Sequence, residues 1–79
     1  PAGGGRPMPS IACQVLEGVF SEDEKRRTIE NVTAGFGEVA GETIRSNTSV
    51  RIHEVRSGSW GYAGQVLTTQ DALDMRKRG

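Results

Sequence analysis

Two short segments of alternating apolar and polar residues, 11–16 and 50–55, flank one stretch whose apolar residues recur every three or four positions. This change of period constrains the fold most, because side chains alternate faces along a strand but return to one face of a helix every third or fourth residue. In the first segment Ile11, Cys13 and Val15 alternate with Ala12, Gln14 and Leu16, and Gly18 ends the run. In the second, Val50 and Ile52 alternate with Arg51 and His53 as far as Val55. Between the two, Ser21 and Glu24 have the spacing of a capping box, and Glu22, Asp23 and Glu24 place negative charge at the positive end of a helix dipole. Ile29, Val32, Phe36 and Val39 form one apolar stripe that is expected to be buried, with Lys25, Arg26, Arg27 and Glu30 on the wet side. Gly35 and Gly37 each weaken the late turns by about 1 kcal/mol relative to alanine. Packing has to hold that end, and Gly41 is the expected stop.

Two strands joined by a helix make a crossover unit, which is parallel and right-handed in about 98% of cases. A polar connection leads into the second strand. Beyond it, residues 57–64 surround Trp60 and Tyr62 with turn formers and read as a tight hairpin. Thr69 is the expected cap of a short helix reaching Met75, and the basic residues 76–78 suit a solvated helix end or frayed tail. At the other end, residues 1–8 are rich in Gly and Pro and read as a flexible leader before a domain spanning 9–79. The expected class is α+β: a β-α-β protomer with a small C-terminal hairpin and a short helix.

A chain of 79 residues buries only roughly 60% of the surface that it exposes when unfolded. With 34% hydrophobic residues and a single cysteine, neither a large core nor an internal disulfide supplements that burial. Association with further copies is the remaining source of stability, so a homo-oligomer is expected. Ten basic residues balance ten acidic ones, which gives no long-range attraction to nucleic acid or to an anionic membrane. No apolar run approaches the roughly 20 residues of a membrane span, and no secretory core opens the chain, so the expected location is cytoplasmic. Cys13 and His53 have no activating or ligating partners in the sequence and read as structural. No metal site or nucleotide-cradling loop is legible, and no cofactor is expected.

From Met8 onward the residues follow a family pattern. Pro9, the strand behind it, Leu16-Glu17-Gly18, the capped Ser21-Glu22-Asp23-Glu24-Lys25 helix start, Ser49-Val50-Arg51 and the aromatic of Gly58-Ser59-Trp60-Gly61 resemble the 4-oxalocrotonate tautomerase family in order and spacing. The resemblance covers nearly everything except the leader and the last few residues. It implies the tautomerase fold, with two protomers pairing into a four-stranded sheet, three such dimers forming a hexamer, and active sites at subunit boundaries. Pro9 stands where the family has its amino-terminal catalytic proline, and Met8 where it has the initiator methionine. The implied reaction moves a proton between the enol oxygen and a carbon of a small anionic 2-hydroxydienoate, giving a 2-oxo-enoate.

That chemistry suits these residue types. A terminal proline is a secondary amine, and burial beside cations lowers its pKa by disfavouring the charged form, so it can take and return a proton near neutrality. Arg51, usually supplied by a neighbouring subunit, is the implied binder of the carboxylate or polariser of the carbonyl, because guanidinium stays charged and offers a planar fork of donors. Trp60 is the implied aromatic wall, and Leu16 the apolar residue beside it in the substrate site.

Two positions depart from the pattern. Val19 replaces a second arginine that would hold a dicarboxylate, with Arg27 and Arg56 as alternatives for that role. Pro9 is internal, so its nitrogen is an amide unless the working chain begins there; Pro1 is the alternative amine, folded back by its Gly-rich spacer. A proline-based hydratase, dehalogenase or decarboxylase, and a catalytically silent oligomer whose leader blocks the site, are the competing readings.

Overall fold

The computed structural model describes residues 8–79, so Pro1 and nearly all of the expected leader lie outside the described residues. Strand β1 (Ser10–Leu16) leads through a turn into helix α1 (Glu22–Ala40), a single-turn helix α2 (Glu42–Arg45) and strand β2 (Ser49–Val55). A hairpin of β3 (Trp60–Tyr62) and β4 (Gln65–Leu67) follows, and helix α3 (Thr69–Lys77) closes the chain. β1 and β2 pair in parallel from Ser10 opposite Ser49 to Leu16 opposite Val55. The hairpin is a separate antiparallel pair, with Trp60 opposite Leu67. This is the expected α+β arrangement, with α2 as an added turn within the polar connection.

Local chemistry sets the element ends. At the start of α1 the Ser21 hydroxyl accepts the Glu24 N–H at 3.1 Å while the Glu24 carboxylate accepts the Ser21 N–H at 2.9 Å, which completes the capping box. α1 ends at Gly41, whose N–H donates to the Gly37 carbonyl. α3 begins one residue earlier than expected, because its cap is Thr68. The Thr68 hydroxyl accepts the Asp71 N–H, and Asp71 at the third helical position returns a bond to the Thr68 N–H. The hairpin turn has both central residues at positive φ, Ala63 at 52° and Gly64 at 81°, the combination whose twist suits a two-residue connection between antiparallel strands.

The expected buried stripe of α1 is only partly covered in the protomer, with Val32 and Phe36 half-buried. Ile29 is 37% and Val39 88% exposed, and no residue of the helix is buried. Length explains the difference at Val39: 19 helical residues run about 28 Å, whereas seven strand residues run about 23 Å, so the last turns overrun the sheet. Lys25 also differs from expectation. Its side chain is only 19% exposed and bridges Glu54 of β2 at 3.4 Å, tying the first turns of α1 to the sheet. Leu16 and Val19 are the only buried hydrophobic residues among those described. Both lie where β1 ends and the chain turns toward α1. Among the described residues no helix is long and apolar enough to cross a membrane.

Candidate active site

The parallel register gathers the expected site residues into two groups. At the opening of the sheet, the half-buried Pro9 is held by its carbonyl, which accepts the Ser49 N–H at 2.9 Å. Arg51 lies opposite Ala12 and reaches back along the sheet so that its guanidinium donates to the Ser10 hydroxyl. Alternation puts Arg51 on the exposed face of β2 with Ser49 and His53, while Val50 and Ile52 are half-buried on the other face. An arginine on the outward face beside the residue that follows Pro9 keeps a permanently charged donor fork at the surface, a group chemically suited to an anion.

At the closing end, Leu16 and Trp60 line one hollow of about 270 Å³ together with Val15, Val19, Phe20, Leu67, Asp71, Ala72, Met75 and Arg76. A polar brace sets the hairpin over the end of β1. The Glu17 carboxylate accepts the Ser57 N–H at 2.9 Å, the Ser57 hydroxyl accepts the Thr69 N–H at 2.9 Å, and the Thr69 hydroxyl donates to the Glu17 carbonyl at 2.6 Å. Gly18, at φ 76°, turns the chain beneath this brace, and a Cβ there would sit 3.4 Å from the Thr69 methyl. Thr69, expected as a cap, is thus part of the brace instead.

Arg76, read from sequence as part of a solvated tail, is the main addition to the site. Its guanidinium lies 4.7 Å from the centre of the Phe20 ring. Nη1 donates to the Val19 carbonyl at 2.9 Å, and Nη1 and Nη2 donate to the Glu24 carboxylate at 3.2 and 2.7 Å. The Arg76 bonds, and next the Ser21 N–H, hold the Glu24 carboxyl down to about 2; the same pairing keeps Arg76 more firmly protonated than usual. Arg76 follows Ala72 by four residues on α3 and so shares its face; that spacing was the available signal. Of the alternatives for the clamp absent at Val19, Arg27 bonds Asp23 at 3.0 Å on the surface of α1 and Arg56 is exposed after β2; neither lines the hollow.

The two groups do not meet within one protomer. Pro9 precedes β1 and Leu16 ends it, so the proline lies roughly 23 Å from the level of Leu16 and Trp60 at about 3.3 Å per strand residue, while Arg51, opposite Ala12, lies about 13 Å from that level. Cys13, on the inward face, is a half-buried free thiol, and His53 is exposed on the outward face.

A parallel β-α-β unit followed by a short hairpin and a helix, with a proline opening the first strand and an arginine on the second, defines a small α+β protomer of the tautomerase fold. A family model described as Tautomerase enzyme matches residues 9–70. The chain belongs to that family. Its structure is similar to that of a 4-oxalocrotonate tautomerase isozyme from Methylibium petroleiphilum, with 34% identity and a TM-score of 0.66 over 73% of this chain and 90% of that one. YwhB, a homologue of 4-oxalocrotonate tautomerase, is similar at 28% identity and a TM-score of 0.65, covering 80% of this chain and 97% of its own. DmpI from Helicobacter pylori shares the fold at 20% identity and a TM-score of 0.65, over 90% of this chain and 98% of that one. No curated protein matches the chain.

Proposed function

We propose that the chain, when it begins at Pro9, is a cofactor-independent tautomerase acting on small anionic enols or 2-oxo acids of the 2-hydroxydienoate type. The observation that carries this reading is the guanidinium of Arg51 at Ser10, the residue next to the strand-opening proline. With Pro9 terminal, its secondary amine takes the proton of the enol hydroxyl as the carbonyl forms. The same proton is then returned to a carbon of the conjugated chain, so the amine ends as it began. Arg51 binds the carboxylate or polarises the developing carbonyl, and its charge beside the amine disfavours the ammonium form. Trp60 and Leu16 supply the dry wall. Because they lie a strand's length from Pro9 in one protomer, the reading includes a homo-oligomer, a hexamer by family likeness, in which another copy presents them.

The test is an ultraviolet assay with phenylenolpyruvate on two proteins, one retaining residues 1–8 and one starting at Pro9. The Pro9-initiated protein is expected to be faster by about 10²- to 10⁴-fold, the range for a positioned general base, and Arg51→Ala should remove about 10²-fold. Its kcat/KM should rise through a pKa below the roughly 7.7–8.0 of an ordinary α-amino group. Turnover no better than buffer for the Pro9-initiated protein, together with no effect of Arg51→Ala, sinks the reading. A second reading rests on the Met8–Pro9 peptide bond of the sequence. A chain that keeps it has an amide nitrogen with no basicity and is a silent oligomer of the same fold. Intact mass and amino-terminal sequencing of the native protein separate the two.

A further inference from the structure

The hollow at the closing end of β1 is apolar over Val15, Leu16, Val19, Phe20, Trp60 and Met75, and its only charged lining groups are Asp71 and Arg76. Both charges are already engaged within the protomer. Arg76 gives three of its five N–H groups to Glu24 and to the Val19 carbonyl and packs over Phe20, so its charge is largely compensated. Asp71 is engaged in capping α3, accepting from the Thr68 N–H at 2.8 Å. With Arg76 paired to Glu24, Asp71 is the lining charge that has no ion pair among the described residues. A carboxylate entering this space would lose hydration and meet a cation already neutralised by Glu24, an unfavourable exchange. An uncharged ring or branched chain loses nothing of the kind and removes apolar surface from water. The volume of about 270 Å³ lies just below the roughly 300–1,000 Å³ of sites for drug-sized ligands, which suits a single ring.

We infer that the hollow selects substrates with one carboxylate and an apolar tail over dicarboxylates, Trp60 and the Glu24-neutralised Arg76 being the residues that set the choice. The inference rests on the tautomerase reading, because the tail it accommodates belongs to the molecule whose reacting end lies at Pro9 and Arg51. It goes beyond that reading by assigning Arg76 and Glu24, which have no part in the proton transfer, to substrate choice.

Trp60 is the only tryptophan of the chain, so its fluorescence reports on the hollow without turnover. The experiment titrates the Pro9-initiated protein with cinnamate, an aryl monocarboxylate, and with trans,trans-muconate, a dicarboxylate, while kcat/KM is measured for an aryl monocarboxylate enol and a dicarboxylate enol. Cinnamate is expected to bind at least about tenfold more tightly, with kcat/KM in the same order, as a desolvated unpaired charge demands. Glu24→Gln retains a capping-box residue at the third helical position while unmasking the charge of Arg76, and should narrow both ratios by strengthening the dicarboxylate. Equal affinity for the two acids, or ratios untouched by Glu24→Gln, overturns the inference. So does a Trp60 signal indifferent to both acids, the outcome if a side chain of a second copy fills the hollow. Turnover without selectivity leaves the acid/base reading standing; selective binding without turnover sinks that reading and leaves the preference of the hollow intact.

Discussion

At Gly37 a Cβ would meet the Arg45 side chain at 2.5 to 2.7 Å, its own Cβ included, whereas at Gly35 nothing lies within 4 Å. The two glycines look alike in the sequence and differ in what they do. Gly37 lets α2 approach α1, with Arg45 fixed there by its bonds to Glu42 at 2.9 and 2.7 Å. Gly35→Ala should therefore stabilise the protein by roughly 0.5–1 kcal/mol, the usual gain within a helix. Gly37→Ala should destabilise it by about 1–3 kcal/mol, because Arg45 and α2 have to shift. Urea midpoints of the two variants, read against the unaltered protein, check both signs. The one-residue shift of the α3 cap from Thr69 to Thr68 belongs to the same scale. Asp71 stands three residues after Thr68, so the capping box was legible. What hid the shift is that Thr69 spends its hydroxyl on the Glu17 carbonyl, a partner 52 residues away that no local pattern reveals.

Among the elements, those defined by neighbours in sequence were legible and those defined by distant packing were not. β1, α1, β2 and the hairpin follow from period, caps and turn residues, because each signal lies within one turn or one pleat of the structure that it sets. α2 was hidden in a polar segment, since a single turn is too short for a period. The tie between α3 and α1 was hidden too. Glu24 accepts the Ser21 N–H, which caps α1, and two donors of Arg76, which hold α3. Its carboxyl is held at about 2, first by Arg76 and then by Ser21. A carboxyl lowered on folding stabilises the native state above its unfolded pKa, roughly 4.3, and that contribution is lost as pH falls toward 2. Glu24→Gln should flatten the part of the acid-denaturation curve between those values. Circular dichroism midpoints across that range, at one protein concentration, give the comparison.

Across the described residues, Leu16 and Val19 are the whole of the buried hydrophobic set, while Ile29, Val39, Tyr62, Val66 and Met75 stand open. A two-stranded sheet with one helix leaning on it is marginal by itself, so the folded state is expected to be stabilised by mass action between copies. Raising the protein concentration about a hundredfold should raise the thermal midpoint by several degrees, with sedimentation velocity showing the accompanying assembly. A midpoint independent of concentration would mean that the protomer folds alone. The outward placement of Arg51 on the second strand was legible from strand alternation; its reach to Ser10 within one protomer and the separation of Pro9 from Trp60 were not, because a linear sequence does not say which copy supplies which wall. On the proposed reading, the groups that handle the proton and the groups that judge the rest of the molecule occupy opposite poles of the same strand pair. Substitutions around the hairpin and the last helix can then retune what is accepted while the reacting pole of that same copy is left undisturbed, which lets one scaffold serve many small acids.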